Sequence, residues 1–262
     1  MNVKDQQHGL SGEMRRMKML EWLQEEGSAR VRTLSDAFGV SEVTVRQDLE
    51  KLEQEGHVVR EHGGAFLKSV SQQVAALALH HLVNMDAKRR IGAAAAALVP
   101  DGETIILDSG STVTEVAKNL EHREGLTVIT NAINIALMLG GKPSFEIHLS
   151  GGLFKPPTLS VSGESAAQHF AGLFAQKLFL ATGAVSIEAG LTFPSLSDMP
   201  VKRAMIESAK EVILVADSSK IGRRSFSSLG GIDLINIFVT DSGINDEDRK
   251  GFEAAGIEVM VV

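Results

Sequence analysis

From about Lys88 to the end of the chain, short β-branched runs recur between amphipathic stretches: "TIILD", "LTVIT", "FEIHLSGG", "KLFLATG", "EVILVADSS", "INIFVTD" and "IEVMVV". Each run is short and nearly continuous in apolar residues, as a strand is when both of its faces are covered. The segments between them, such as "TEVAKNL", "INIALML" and "VKRAMIESAK", repeat apolar residues at helical spacing. This alternation predicts an α/β domain over residues 88–262, built on a mostly parallel sheet with helices on both faces. Ile91, Leu98 and Val99 frame the alanine run Ala93–Ala97, which therefore reads as helix packing.

A parallel sheet brings the C-terminal ends of its strands to one edge, where ligands bind. Five ends here carry polar or glycine residues. They supply Asp108, Ser109, Gly110, Ser111 and Thr112 in "LDSGST"; Thr130 and Asn131 in "TNAIN"; Gly151, Gly152 and Lys155 in "SGGLFK"; Gly183 in "ATGA"; and Asp217 and Lys220 in "ADSSK". In "LDSGST" a strand gives way to small hydroxylated residues and then a helix, so backbone N–H groups converge on one concavity. Gly110 permits close approach, the hydroxyls add donors, and the helix dipole favours an anion. The same residues also cap helices with no ligand present, and this loop alone leaves both readings open.

Residues 1–67 have another texture. "EMRRMKMLEWLQEEG" sets Met17, Leu20 and Leu23 near helical spacing and ends at Gly27, a candidate C-cap. "VRTLSDAFG" is a second short helix closed by Gly39, and Ser41 suits the N-cap of "SEVTVRQDLEKLEQEG". Val45, Leu49 and Leu52 fall at i, i+4 and i+7 and face a core. The opposite face centres on Val43 and Gln47, flanked by Thr44, Arg46, Glu50 and Lys51. Two helices about a short glycine-containing turn describe a helix-turn-helix. Gln can bond an adenine edge through donor and acceptor, and an exposed Val can meet a thymine methyl. "HVVREHGGAFL" reads as two strands about "EHGG", which makes the domain winged and adds Arg60 and His62 to the DNA-facing set with Ser41, Val43, Thr44, Arg46, Gln47 and Lys51. The competing reading is a small helical domain that binds a protein partner. Residues 1–66 hold nine basic and twelve acidic residues. Phosphate affinity therefore requires Arg15, Arg16, Arg30, Arg32, Arg46 and Arg60 to gather on one side. Residues 68–87 read as a connector.

The formal charge of −7 argues against non-specific coating of nucleic acid. The absence of cysteine excludes disulfides and thiolate chemistry. No apolar run is long enough to span a membrane and the N-terminus has no hydrophobic signal, so a cytoplasmic location is expected. No residue spacing suggests a metal site, and no cofactor is expected.

The phrase "VSEVTVRQDLEKLEQEG", with "REHGGA" after it, resembles the N-terminal domain of the DeoR family of bacterial transcriptional regulators. Farther on, "KRRIGAAAAALVPDGETIILDSGSTVTEVAKNL", "VITNAINIA", "LSGGLFK", "VSGESA", "VKRAMIESA" and "VADSSKIGR" resemble the family's C-terminal sensor domain. The resemblance covers almost the whole chain. It implies a fold related to ribose-5-phosphate isomerase, glucosamine-6-phosphate deaminase and CoA transferases, operator DNA as partner, and control by a phosphorylated sugar or related metabolite. It further implies that "DSGST" holds the phosphate while Asn131, Lys155, Asp198 and Lys202 contact the rest of the effector. Four positions depart from the family pattern: Gln47 and Lys155 where Arg is frequent, Asp198 where Glu is usual, and His80 where the connector often has Arg.

An isomerase needs a positioned base. Ribose-phosphate isomerases carry an acidic cluster after the strand corresponding to "KLFLATGAVS", whereas Gly183 to Ser186 offers no carboxylate. Asp108 beside a phosphate loop reads as loop-ordering, and His148 and His169 as residues of an apolar strand and helix. The expectation is a non-enzymatic repressor of a carbohydrate-utilisation operon, acting as a homodimer or homotetramer. The alternative is a sugar-phosphate isomerase or deaminase with an accessory domain.

Overall fold

A computed structural model of the chain describes residues 12–26, 28–61, 63–67 and 83–262. The chain divides into two compact units, 1–82 and 83–262.

In the first unit, α1 (Gly12–Glu26), α2 (Val31–Phe38) and α3 (Glu42–Gln54) surround a core of Met19, Leu23, Leu34, Val45, Leu49 and Leu52. The buried pair on α1 is Met19 and Leu23. Met17 is exposed, so Met19 takes its place in the expected stripe, while Leu20 and Leu23 keep theirs. Gly39 closes α2 in the left-handed region (φ 64°), and the Ser41 hydroxyl accepts from Thr44 N at 3.1 Å to cap α3. Strands β1 (Ser28–Arg30), β2 (Val58–Glu61) and β3 (Gly64–Leu67) form an antiparallel sheet in the order β1-β3-β2. The wing expected from "EHGG" is therefore joined by a third strand. It lies close enough that a Cβ at Gly64 would stand 2.6 Å from the Ala29 carbonyl oxygen. Gly27, His62, His80 and the connector up to Leu82 lie outside the described residues.

The second unit is built on a seven-stranded parallel sheet: β4 (Thr104–Leu107), β5 (Thr127–Thr130), β6 (Glu146–Leu149), β9 (Ala175–Leu180), β12 (Ala209–Val215), β14 (Ile237–Thr240) and β15 (Glu258–Val261). The order is β15-β14-β12-β9-β4-β5-β6. All seven apolar runs named from the sequence are in it. One face packs on α4 (Met85–Ala97), α5 (Ser111–Lys118) and α6 (Ile133–Leu139) through Ile105, Leu107, Val128, Phe179 and Ile213. Residues alternating with these, including Ile106, Ile129, Leu178 and Leu180, meet α7 (Glu164–Phe170) and α8 (Met199–Glu207) on the other face. The alanine run belongs to α4. Gly92 on that helix lets α5 approach, since a Cβ there would sit 2.6 Å from Glu115.

Two smaller sheets were not foreseen. One is the antiparallel ribbon of β7 (Leu153–Lys155) and β8 (Ser160–Ser162). The other joins β10 (Ala184–Ser186), β11 (Gly190–Phe193) and β13 (Ser227–Gly230). The last helix, α9 (Asp246–Ala254), precedes β15. No described helix is long and apolar enough to cross a membrane.

Candidate functional site

The sheet grows from β4 outward through β5 and β6, and from β9 in the opposite direction through β12, β14 and β15. The direction in which strands are added therefore reverses between the parallel neighbours β4 and β9, and in a parallel sheet the usual ligand crevice lies outside the strand ends at such a point. "DSGST" follows β4, and Ala181 to Gly183 follows β9.

Asp108 crosses this crevice. It is fully buried, and its Oδ2 accepts from Ala181 N at 3.1 Å and from Lys202 Nζ at 2.5 Å. The Lys202 ammonium also lies 4.6 Å from the centre of the Phe193 ring. Lys202 stands one helical turn after Asp198, whose carboxylate oxygens accept from Lys155 Nζ at 2.9 and 2.8 Å. Two ion pairs thus join β4, α8 and the β7–β8 ribbon through four of the residues named from the sequence. Asp198 and Lys155, two of the positions that depart from the family pattern, are bonded to each other.

Around them several buried polar atoms lack a partner among the described residues: Asp108 Oδ1, Asn131 Oδ1, Ser150 Oγ and Ser162 Oγ. Asn131 is held by donating to the Val161 carbonyl at 3.0 Å, which leaves its own oxygen free. Ser109, Gly110 and Ser111 are half-buried at the start of α5, while Thr112 is buried. Gly110 (φ 144°) lies so near Ala181 that a Cβ would meet its methyl at 2.9 Å.

Other candidates have internal duties. The Thr130 hydroxyl donates to Leu107 O at 2.6 Å and accepts from Ala132 N at 3.0 Å. Gly152 (φ 136°) packs against β8, where a Cβ would lie 2.7 Å from Ser162 O, while Gly151 is exposed. Lys220 sits two strands from β4, beside a separate cluster. There Asp217 accepts from Asn84 Nδ2 at 2.9 Å, and Asp241 accepts from Ser218 N at 2.6 Å and Gly243 N at 3.0 Å. Burial tends to raise the Asp241 carboxyl pKa. The bonds from Ser218 and Gly243 outweigh it and hold that pKa below the ordinary carboxylate range.

In the first unit, α3 turns Val43 (60% exposed), Arg46, Gln47, Glu50 and Lys51 to solvent. Arg46 pairs with Glu42 at 2.6 Å, and Arg60 with Glu53 at 3.8 Å. The Thr44 hydroxyl turns to the Ser41 cap at 2.9 Å. Arg15 and Arg16 are not part of this surface. They reach Asp48, buried on the inner face of α3, at 2.6 and 3.5 Å. The six arginines therefore do not form one phosphate-facing group; two of them tie α1 to α3.

Residues 15–72 match the DeoR-like helix-turn-helix domain and residues 83–242 match the DeoR C terminal sensor domain. The chain belongs to the DeoR family of transcriptional regulators. It is 32% identical to the HTH-type transcriptional regulator GlpR of Haloferax volcanii, over 94% of this chain and 96% of that protein. It is 33% identical to the HTH-type transcriptional repressor GlcR of Bacillus subtilis, over 95% of this chain and 96% of that one. Ribose 5-phosphate isomerase A from Neisseria gonorrhoeae overlaps 52% of this chain and 53% of its own at 16% identity and a TM-score of 0.38, too loose a likeness to carry chemistry across.

Membership of the DeoR family makes this chain a DNA-binding transcriptional regulator with a sensor domain. Residue spacing alone missed the Ala181 amide that bonds Asp108 and the buried hydroxyls of Ser150 and Ser162. For Ser162, spacing carries no signal, because the three residues of β8 are too few to display a strand period, and only the family-like run "VSGESA" includes it. Asp48 did have one: a carboxylate within the apolar stripe of Val45, Leu49 and Leu52 requires a buried partner.

Proposed function

We propose that this regulator represses carbohydrate-utilisation genes and that a phosphorylated sugar, bound in the β4/β9 crevice, shifts it between DNA-competent and DNA-incompetent arrangements. The reading rests chiefly on the unpartnered buried acceptors Asp108 Oδ1 and Asn131 Oδ1. Buried acceptors need donors, and sugar hydroxyls supply them. The α5 N-terminus, with Ser109, Ser111 and Thr112, offers N–H and O–H donors to a phosphate. Lys155, Asp198 and Lys202 would contact the sugar by exchanging their present partners. Gly151 and Lys220 would lie at the margin, and Thr130 and Gly152 would shape the loops.

On DNA, α3 would enter the major groove with Val43 and Gln47 toward the bases. Ser41, Thr44, Arg46 and Lys51 would lie toward phosphates, and Arg60 would act from the wing. His62 is assigned to the same wing by its sequence position. A homodimer or homotetramer in the cytoplasm would pair such units over a two-fold operator.

Binding without turnover is supported by the segment after β9, where the carboxylate-free Gly183 to Ser186 includes β10, whose Ala184 to Ser186 pair with β11. Thermal-shift screening of pentose and hexose phosphates tests the reading, with operator binding and conversion of the same compounds measured in parallel. A responding compound should change operator affinity and be recovered intact. Ser111→Glu should retain operator binding and lose the response; a normal response in that variant refutes the phosphate assignment, and conversion of the compound favours an isomerase or deaminase.

A further inference from the structure

At one edge of the large sheet, β6 pairs only with β5 among the described residues. Glu146 N and Ser150 N donate toward β5, to Leu126 O and Thr130 O, each at 2.9 Å. Backbone groups alternate sides along a strand, so the N–H and C=O of Ile147 and Leu149 point away from the sheet. Open edges are ordinarily blunted by Lys, Pro or a bulge. This one presents Leu149 at 42% exposure, and the ribbon that follows adds Leu153 at 68% and Phe154 at 42%.

The strand and the residue before it read Phe145, Glu146, Ile147, His148, Leu149: apolar, acidic, apolar, basic, apolar about Ile147. Such a strand complements itself. Laid antiparallel on a second copy with Ile147 on the two-fold axis, the two Ile147 residues exchange their outward N–H and C=O. Phe145 meets the partner's Leu149. Glu146 stands opposite the partner's His148 in the non-hydrogen-bonded position, where side chains come closest. A register centred on His148 keeps backbone bonding but sets imidazole against imidazole and leaves the acid–base complement unused. Glu146 and His148 are both accessible, and they already bond within the strand at 2.8 Å.

We propose that β6 is the seam of a two-fold dimer, in which the sheets of two copies of this chain join edge to edge. The seam does not depend on which effector binds. It would supply the paired helix-turn-helix units that a two-fold operator requires. β6 also runs on into Ser150 and the ribbon bearing Lys155, so the seam and the crevice share one stretch of chain.

The test is sedimentation equilibrium of the full-length protein and of two edge variants, with thermal melts confirming that each is folded. His148→Glu makes the edge acidic and Glu146→Lys makes it basic. Each alone should weaken association about tenfold or more, because both lose the two cross-seam Glu146–His148 contacts, His148→Glu setting carboxylate against carboxylate and Glu146→Lys setting ammonium donor against imidazole. An equimolar mixture of the two should regain wild-type association, since acidic then faces basic across the seam. A contact confined to one chain would not be rescued by mixing. A monomeric wild type, single variants that assemble normally, or a mixture that stays dissociated would each overturn the proposal.

Discussion

Lys202 Nζ and Asp108 Oδ2 lie 2.5 Å apart, with both side chains buried and 94 positions between them in the chain. The pair joins the loop after β4 to the first turns of α8, so it is both part of the crevice and part of what holds the crevice in shape.

Removing one partner leaves a buried charge without compensation, which typically costs about 3–5 kcal/mol. Lys202→Met should therefore lower unfolding stability by that order in urea. The double variant Asp108→Leu with Lys202→Met should recover part of the loss, because neither charge then remains. Equal stability of Lys202→Met and wild type would show the pair to be energetically idle.

Arg15 and Arg46 should separate by salt dependence. Arg46→Ala should reduce the slope of log affinity against log salt by about one, as expected for one lost phosphate contact. Arg15→Ala should leave that slope unchanged and lower the melting temperature, because Arg15 holds Asp48. Operator titrations over a salt series, paired with thermal melts, measure both quantities.

Gln47 faces solvent from the middle of α3. Gln47→Ala should cost about 1–3 kcal/mol on the preferred operator and relax discrimination at one base position. Competition binding with a set of single-base operator variants reads this directly. Uniform weakening on every sequence would instead mark Gln47 as a phosphate or structural contact.

Asp241 supplies a pH signature. Its carboxyl pKa is lowered in the folded chain. Its contribution to stability is therefore present above the unfolded value of about 4 and is lost as pH falls through the lower folded value. Asp241→Asn should be less stable than wild type at neutral pH, and the gap should narrow as pH falls below about 4. Melts of both proteins across that range decide it.

The alternation of short apolar runs with helical stretches was enough to foresee the seven-stranded sheet, because strands covered on both faces must be apolar along their length. The α3 pattern likewise separated Val45, Leu49 and Leu52 from Val43 and Gln47, since helical geometry converts spacing into faces. Strand-end residues near the crevice could be named for the same reason: strand direction in a parallel sheet follows from the alternation itself.

Strand order does not follow from it. Only the tertiary structure brings β9 beside β4, and with it Ala181 and Lys202 to Asp108. The ribbons were illegible because three-residue strands have too few positions to display a period. Lys155 therefore read as a strand-end neighbour of Gly152, when its bond is to Asp198 across 43 positions. Whether Arg15 and Arg16 join the arginines that phosphate affinity requires was not legible, because a charge in sequence carries no record of which charge it will meet. Spacing determines which way a side chain faces on its own element. What it faces depends on how the elements pack, and that only the folded chain decides.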